Sequence, residues 1–108
     1  MQMLIEYTVR REELAEHLEL VGEVYADLER LAPADLGYAT YQLEDEVSFV
    51  ELLTGQAGPG QLAASPAFAR FRSSLDARCE RPPVLTELRQ VGRYPATTLH
   101  SAAEQELA

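Results

Sequence analysis

The chain has 108 residues, 46% of them hydrophobic and 25% charged, and a formal net charge of −9, values that suit one globular domain with one modest core. Its basic side chains are all arginine, nine against eighteen Asp and Glu. So acidic a surface repels phosphate, so no nucleic acid and no anionic membrane is expected as a partner.

The single cysteine, Cys79, rules out an internal disulfide framework and suits a reducing, cytoplasmic location. The N-terminal stretch MQMLIEYTVRREEL has a short apolar run followed by charge, which fits neither a signal peptide nor a spanning helix.

Residues 3–9 alternate, with Met3, Ile5, Tyr7 and Val9 on one face and Leu4, Glu6, Thr8 and Arg10 on the other. Period two with aromatic and β-branched residues predicts a strand. Residues 11–31 predict a helix whose apolar stripe is Leu14, Leu18, Val21, Tyr25 and Leu28. Glu12 and Glu13 suit the positive end of its dipole, and Pro33 stops it.

Two further strands, 37–44 and 47–54, are joined by the acidic pair Asp45-Glu46 and predict an antiparallel hairpin. Alternation is read as placing Tyr41 with Tyr7 on the helix side, and Tyr38 with Leu4, Val50 and Leu52 on the other. Residues 59–64 are expected to make a short helical turn. Ser65 is a good N-cap with Pro66 at the first helical position. A second helix then runs to about residue 80, with Phe68, Phe71, Leu75 and Cys79 as its stripe. Residues 84–93 read as a fourth strand. The domain is taken as 1–95. Residues 96–108, with a Ser101-x-x-Glu104 capping pattern, form a tail or short docked helix.

The order β-α-β-β-α-β predicts an α+β, ferredoxin-like fold: a four-stranded antiparallel sheet in the order 4-1-3-2 with both helices on one face. The other face carries large apolar groups and has nothing in the chain to cover it, so a second copy, a homodimer, is the expected partner.

Candidate chemistry is sparse. Glu51 falls on the helix-covered face, where an isolated carboxylate is costly unless paired. It is either a structural acceptor or a general base whose pKa burial raises. His17 lies at the edge of the first helix stripe, as a surface residue or a proton shuttle. Tyr7 and Tyr41 are either core residues or hold phenols toward one cleft with Phe49 and Phe68, and Arg72 is either solvated surface or flanks that cleft. His17 and His100 are far apart in the chain, and no Cys/His/carboxylate group has ligand spacing, so no metal is expected. Gly55, Gly58 and Gly60 fit no nucleotide-binding pattern.

Leu36-Gly37-Tyr38, Phe49-Val50-Glu51 and Ser65-Pro66-Ala67-Phe68, in this order of elements, resemble the dimeric α+β barrel proteins, specifically the antibiotic-biosynthesis-monooxygenase-like (ABM) branch. The resemblance covers roughly residues 3–94. It implies a barrel made by two sheets face to face, and in each subunit a pocket for a small apolar or aromatic ligand between sheet and helices. It also implies a cofactor-independent monooxygenase acting on an aromatic polyketide or quinol. A non-catalytic ligand-binding or accessory protein, or an isomerase or cyclase, are alternatives within the same fold. Leu53 stands where relatives often carry Trp, and the second helix lacks the His that serves haem-degrading relatives, so haem is not expected.

Overall fold

A computed structural model of the chain describes residues 2–55 and 62–95. Residues 56–61, which include the start of the expected turn at 59–64, and the tail with His100, Ser101 and Glu104 lie outside the described residues. Strand β1 (Gln2–Thr8) is followed by a 3-10 turn (Arg11–Glu13) and helix α1 (Leu14–Leu31). Strands β2 (Gly37–Gln42) and β3 (Ser48–Thr54), helix α2 (Pro66–Arg78) and strand β4 (Val84–Leu88) complete the order. The sheet is antiparallel throughout in the order β2-β3-β1-β4, as the split β-α-β pattern predicts.

The core lies between the sheet and the two helices. Tyr7 and Val9, Phe49 and Leu53, Val24 of α1, and Phe71, Leu75 and Cys79 on and after α2 are all buried. Ser65 caps α2 by accepting from the Phe68 N–H at 3.0 Å, with Pro66 next to it. Its hydroxyl donates in turn to Asp27 of α1, which ties the two helices together. Gly55 ends β3 with φ at 140°, and a Cβ there would fall 2.2 Å from the Asp35 carbonyl oxygen, so only glycine fits.

The structure corrects several boundaries and faces. The α1 stripe is turned by about one residue from expectation. His17 and Val24 are its buried residues, while Leu18 is exposed. Leu14, His17, Val21, Val24 and Leu28 alternate steps of three and four, and this face wins because it meets the aromatic side of the sheet. Helix α2 ends at Arg78. Cys79 instead pairs with Val9 as an isolated bridge extending β1. Residues 62–64, the described part of the turn expected at 59–64, form a 3-10 turn. Strand β4 stops at Leu88, leaving Val91 exposed.

The hairpin connection is longer than two residues. Strand β2 ends at Gln42 and β3 begins at Ser48. Asp45 organises the turn, accepting from the N–H groups of Val47 at 3.0 Å and Ser48 at 2.8 Å. Across the hairpin Thr40 faces Glu51, Tyr38 faces Leu53 and Tyr41 faces Val50. Cross-strand partners share a face. Tyr38 therefore lies on the helix side, and Tyr41, 56% exposed, lies on the outer face. The expected assignments of these two tyrosines are exchanged.

The outer face carries Leu4 and Glu6, Tyr41 and Leu43, Val50 and Leu52, and Val84. No described element covers it. A groove of about 480 Å³ runs along it between Leu43, Val50, Arg81 and Val84.

Candidate functional site

Glu51 is the most buried carboxylate among the described residues, 1% exposed in the middle of β3. Alternation along β3 turns Phe49, Glu51 and Leu53 toward the helices. Neighbouring strands supply its partners. The Tyr7 hydroxyl donates to Oε2 at 2.6 Å from β1, and the Tyr38 hydroxyl donates to Oε1 at 2.6 Å from β2. Burial pushes the Glu51 pKa up, while the two phenols and the charges of Arg72 and Arg78 pull against that rise. Both phenols are pushed far above their ordinary value, first by burial and then by the Glu51 charge. They therefore stay protonated donors.

His17 is fully buried, not at a surface edge. Its Nε2 lies 3.0 Å from the Tyr7 oxygen, and its Nδ1 accepts from Arg78 Nε at 3.1 Å. The ring packs edge-on to Phe49, with centroids 4.7 Å apart. Burial first, and the adjacent guanidinium second, lower its pKa from 6.5 to about 4, so the imidazole is neutral at physiological pH.

Arg78, 4% exposed, is held at the last turn of α2. It donates to His17, to the Ser74 hydroxyl and to the Phe71 carbonyl, and its guanidinium sits 5.3 Å from the Phe71 ring centroid. The Arg10 N–H donates to the Arg78 carbonyl at 2.8 Å, which docks the end of α2 against the end of β1. No buried side-chain nitrogen or oxygen among the described residues lacks a partner.

Tyr38 also stacks on Tyr25 of α1, with centroids 5.5 Å apart, and meets Phe68 edge-on. The Tyr25 and Thr40 hydroxyls are 2.7 Å apart. Beside these rings a cleft of about 300 Å³ opens between α1 and β2, lined by Tyr25, Leu28, Pro33, Leu36 and Tyr38. Such a cleft approaches the lower end of small-ligand sites.

Of the expected site residues, Glu51, His17, Tyr7 and Phe49 come together, and Phe68 borders them. Tyr41 does not face this cluster. Arg72 is exposed, 3.9 Å from Asp76, and acts on Glu51 only through its charge. Sequence reasoning missed Tyr38, Tyr25 and Arg78. The hairpin register carried the signal for Tyr38. For Arg78 the signal was its place three residues beyond Leu75, on the Phe71–Leu75 face. Among the described residues no group of three or more His, Cys, Asp or Glu could hold a metal ion, and no helix is long and apolar enough to cross a membrane.

No protein-family model matches this sequence, and no curated protein matches it. Solved structures do match in fold. A candidate antibiotic biosynthesis monooxygenase from Nitrosomonas europaea superposes with a TM-score of 0.68 at 13% identity, covering 89% of this chain and 92% of its own. One from Caulobacter crescentus gives 0.66 at 16% identity over 84% and 89%. A variant of SnoaB, a cofactor-independent oxygenase from Streptomyces nogalater, gives 0.58 at 20% identity over 83% and 93%. The chain therefore has the fold of the antibiotic-biosynthesis-monooxygenase-like domain, an α+β, ferredoxin-like unit of four antiparallel strands and two helices.

Proposed function

We propose that this protein is a small cofactor-independent monooxygenase of the antibiotic-biosynthesis type, acting on an aromatic polyketide or quinol bound in the cleft beside Tyr25 and Tyr38. The observation that carries this reading is the double role of Tyr38, which lines the cleft and donates to the buried Glu51 carboxylate at 2.6 Å. An anthrone or quinol becomes reactive toward dioxygen when it loses a proton, because the anion gives up an electron far more readily. For an anthrone the methylene becomes a carbonyl and one water leaves, so the reaction balances without an external reductant. Glu51 is the base in this scheme, and its raised pKa brings it closer to the range a general base needs. Tyr25 and Tyr38 offer stacking faces to a planar ring. The fold neighbour described as a cofactor-independent oxygenase supports the same reading.

The full burial of Glu51 and the pairing of both its oxygens favour a second reading, a non-catalytic binder of a small aromatic ligand. Oxygen-electrode measurements with a panel of hydroquinones and anthrones separate the two. Oxygen uptake that falls at least ~100-fold in Tyr38→Phe supports the oxygenase. Saturable ligand binding with no oxygen uptake supports the binder. A second copy of the chain seated on the outer sheet face, and a reducing cytoplasmic location suited to the buried free thiol of Cys79, belong to the same proposal.

A further inference from the structure

Arg78, His17, Tyr7, Glu51 and Tyr38 form one continuous hydrogen-bonded chain. An arginine does not lose its proton in a protein, so Arg78 Nε–H can only donate. His17 Nδ1 must then accept, and the neutral ring carries its hydrogen on Nε2. That Nε2–H donates to the Tyr7 oxygen, so the Tyr7 hydrogen turns to Glu51 Oε2. The permanent charge at one end thereby orients each hydrogen as far as Oε2, and that oxygen is blocked by a donor. The far end differs. Tyr38 is the half-buried member of the chain, its side chain lines the cleft, and the Thr40 hydroxyl is its other hydrogen-bonding neighbour.

We propose that this chain is a polarised proton acceptor in which Arg78, acting through His17 and Tyr7, leaves Glu51 able to take up a proton only at Oε1, through the Tyr38 hydroxyl, from a ligand bearing an acidic hydroxyl such as a phenol or enol. The ligand O–H gives its proton to the Tyr38 oxygen as the Tyr38 hydrogen passes to Oε1. The products are a ligand anion and a neutral Glu51 that donates back to Tyr38. Arg78 touches no ligand and is a positioning residue. The choice of ligand rests on the cleft reading above. The polarity of the chain does not, and it can be measured with no ligand present. The groups that act on Glu51 are Tyr7 from β1, Tyr38 from β2, Tyr25 from α1, and Arg72 and Arg78 from α2, with His17 of α1 behind Tyr7.

Nuclear magnetic resonance on protein labelled with 15N-histidine and with 13C at the tyrosine Cζ carbon tests this. Spectra are followed from about pH 8 to about pH 5, below which His17 itself titrates. His17→Gln assigns the imidazole, and Glu51→Gln identifies shifts that follow Glu51. The expected result is a single Nε2–H tautomer for His17 throughout, and a Tyr38 Cζ signal that moves further than that of Tyr7 as Glu51 takes up its proton. In Arg78→Met the single tautomer should be lost, and Tyr7 should then move as far as Tyr38. An Nδ1–H tautomer, or a wild-type Tyr7 signal that moves as far as Tyr38 or further, overturns the proposal. Should Arg78→Met fail to fold, the wild-type titration decides alone. An absence of oxygenase activity with polarity as described would remove the proposed function and leave this inference standing.

Discussion

Tyr38 and Glu51 are joined by a 2.6 Å hydrogen bond between adjacent strands, and the same Tyr38 side chain lines the cleft beside α1. The Tyr38 ring is held independently by its stack on Tyr25 and its edge contact with Phe68. Tyr38→Phe should therefore keep the ring in place and remove only the hydroxyl. Oxygen turnover should fall ~100- to 10,000-fold, the range for losing a proton-transfer group. Stability should fall by ~1–3 kcal/mol, because one Glu51 oxygen loses its donor in a buried setting. Steady-state oxygen uptake and a denaturant melt check both. Turnover within a few-fold of the parent protein would exclude Tyr38 from the proton path.

Glu51→Gln probes the acceptor itself. A carboxylate can accept from both phenols, but an amide has one oxygen and one nitrogen to offer. Tyr7 is held as a donor by the His17 and Arg78 side of the chain, so the amide oxygen should turn toward Tyr7 and the NH2 toward Tyr38. The substitution also leaves Arg78 without its buried counter-charge. The expected loss is ~1–3 kcal/mol, a drop in melting temperature on the order of 4–8 °C per kcal/mol for a domain this size. Turnover should fall by the factor expected for a missing base, while ligand binding survives. Calorimetry with an oxygen assay reads both effects. An unchanged melting temperature would mean that Glu51 adds nothing to stability.

The buried His17 predicts a pH dependence of stability. Its folded pKa of about 4 lies below the ordinary 6.5. Between these values the unfolded chain binds more protons than the folded one, so acid favours unfolding. The His17 contribution is fully present above pH 6.5 and is lost as the pH falls toward about 4. The limiting slope is about 1.4 kcal/mol per pH unit for one proton. Asp27 and Asp45, whose pKa values are lowered by hydrogen bonds from Ser65 and Ser48 respectively, lose stabilisation only below the carboxylate range. Glu51 has the opposite sign. Its raised pKa favours folding at low pH, and that contribution fades as the pH rises through its folded value. Urea melts between about pH 7 and pH 5 should show the His17 slope, and His17→Gln, which keeps a donor and an acceptor but does not titrate, should flatten it. An equal slope in both proteins would assign the effect elsewhere.

The period-two and period-four patterns were enough to place the elements and the strand order, because each element has one face that must be buried. They were not enough to place the site. Glu51 was legible as a buried carboxylate from Val47, Phe49 and Leu53 around it. Tyr38 and Tyr41 exchange faces because alternation within one strand does not say which of its faces meets the helices. The pairing of Thr40 with Glu51 follows from the spacing across the Asp45 turn, and a two-residue turn would have produced the same parity. His17 falls at the stripe edge when the apolar residues Leu18 and Tyr25 define the stripe. Val24 marks the true face, and it places His17 one turn before Val21. Arg78 was hidden by its charge. Composition argues against burying an arginine, and the direct hydrogen bonds to His17, Ser74 and the Phe71 carbonyl, with the Glu51 charge beyond Tyr7, make that burial tolerable.

The outer sheet face supports the last prediction. Strands β3 and β1 are the central pair in the sheet, and Val50 lies near the middle of the face, opposite Glu6 on one side and Tyr41 on the other. Tyr41, Leu43 and Val84 are exposed there, and Glu6 is the one charged side chain among the described strand residues of that face. A stable dimer typically buries ~1,200 Å² or more in total, and a four-stranded face of this kind is the surface available to supply it. Light scattering at micromolar concentration should give twice the 12.0 kDa chain mass. Val50→Glu would set a second carboxylate beside Glu6 at the centre of the interface. On the isolated chain that change is nearly neutral, since the side chain points away from the core. Across a two-fold interface it opposes its own copy, and like charges so placed cost several kcal/mol. The variant should therefore run as a folded monomer with the far-ultraviolet spectrum of the parent. A parent protein that is itself monomeric would remove the dimer and leave the fold and the Glu51 site standing, whereas a Val50→Glu dimer would move the interface off this face.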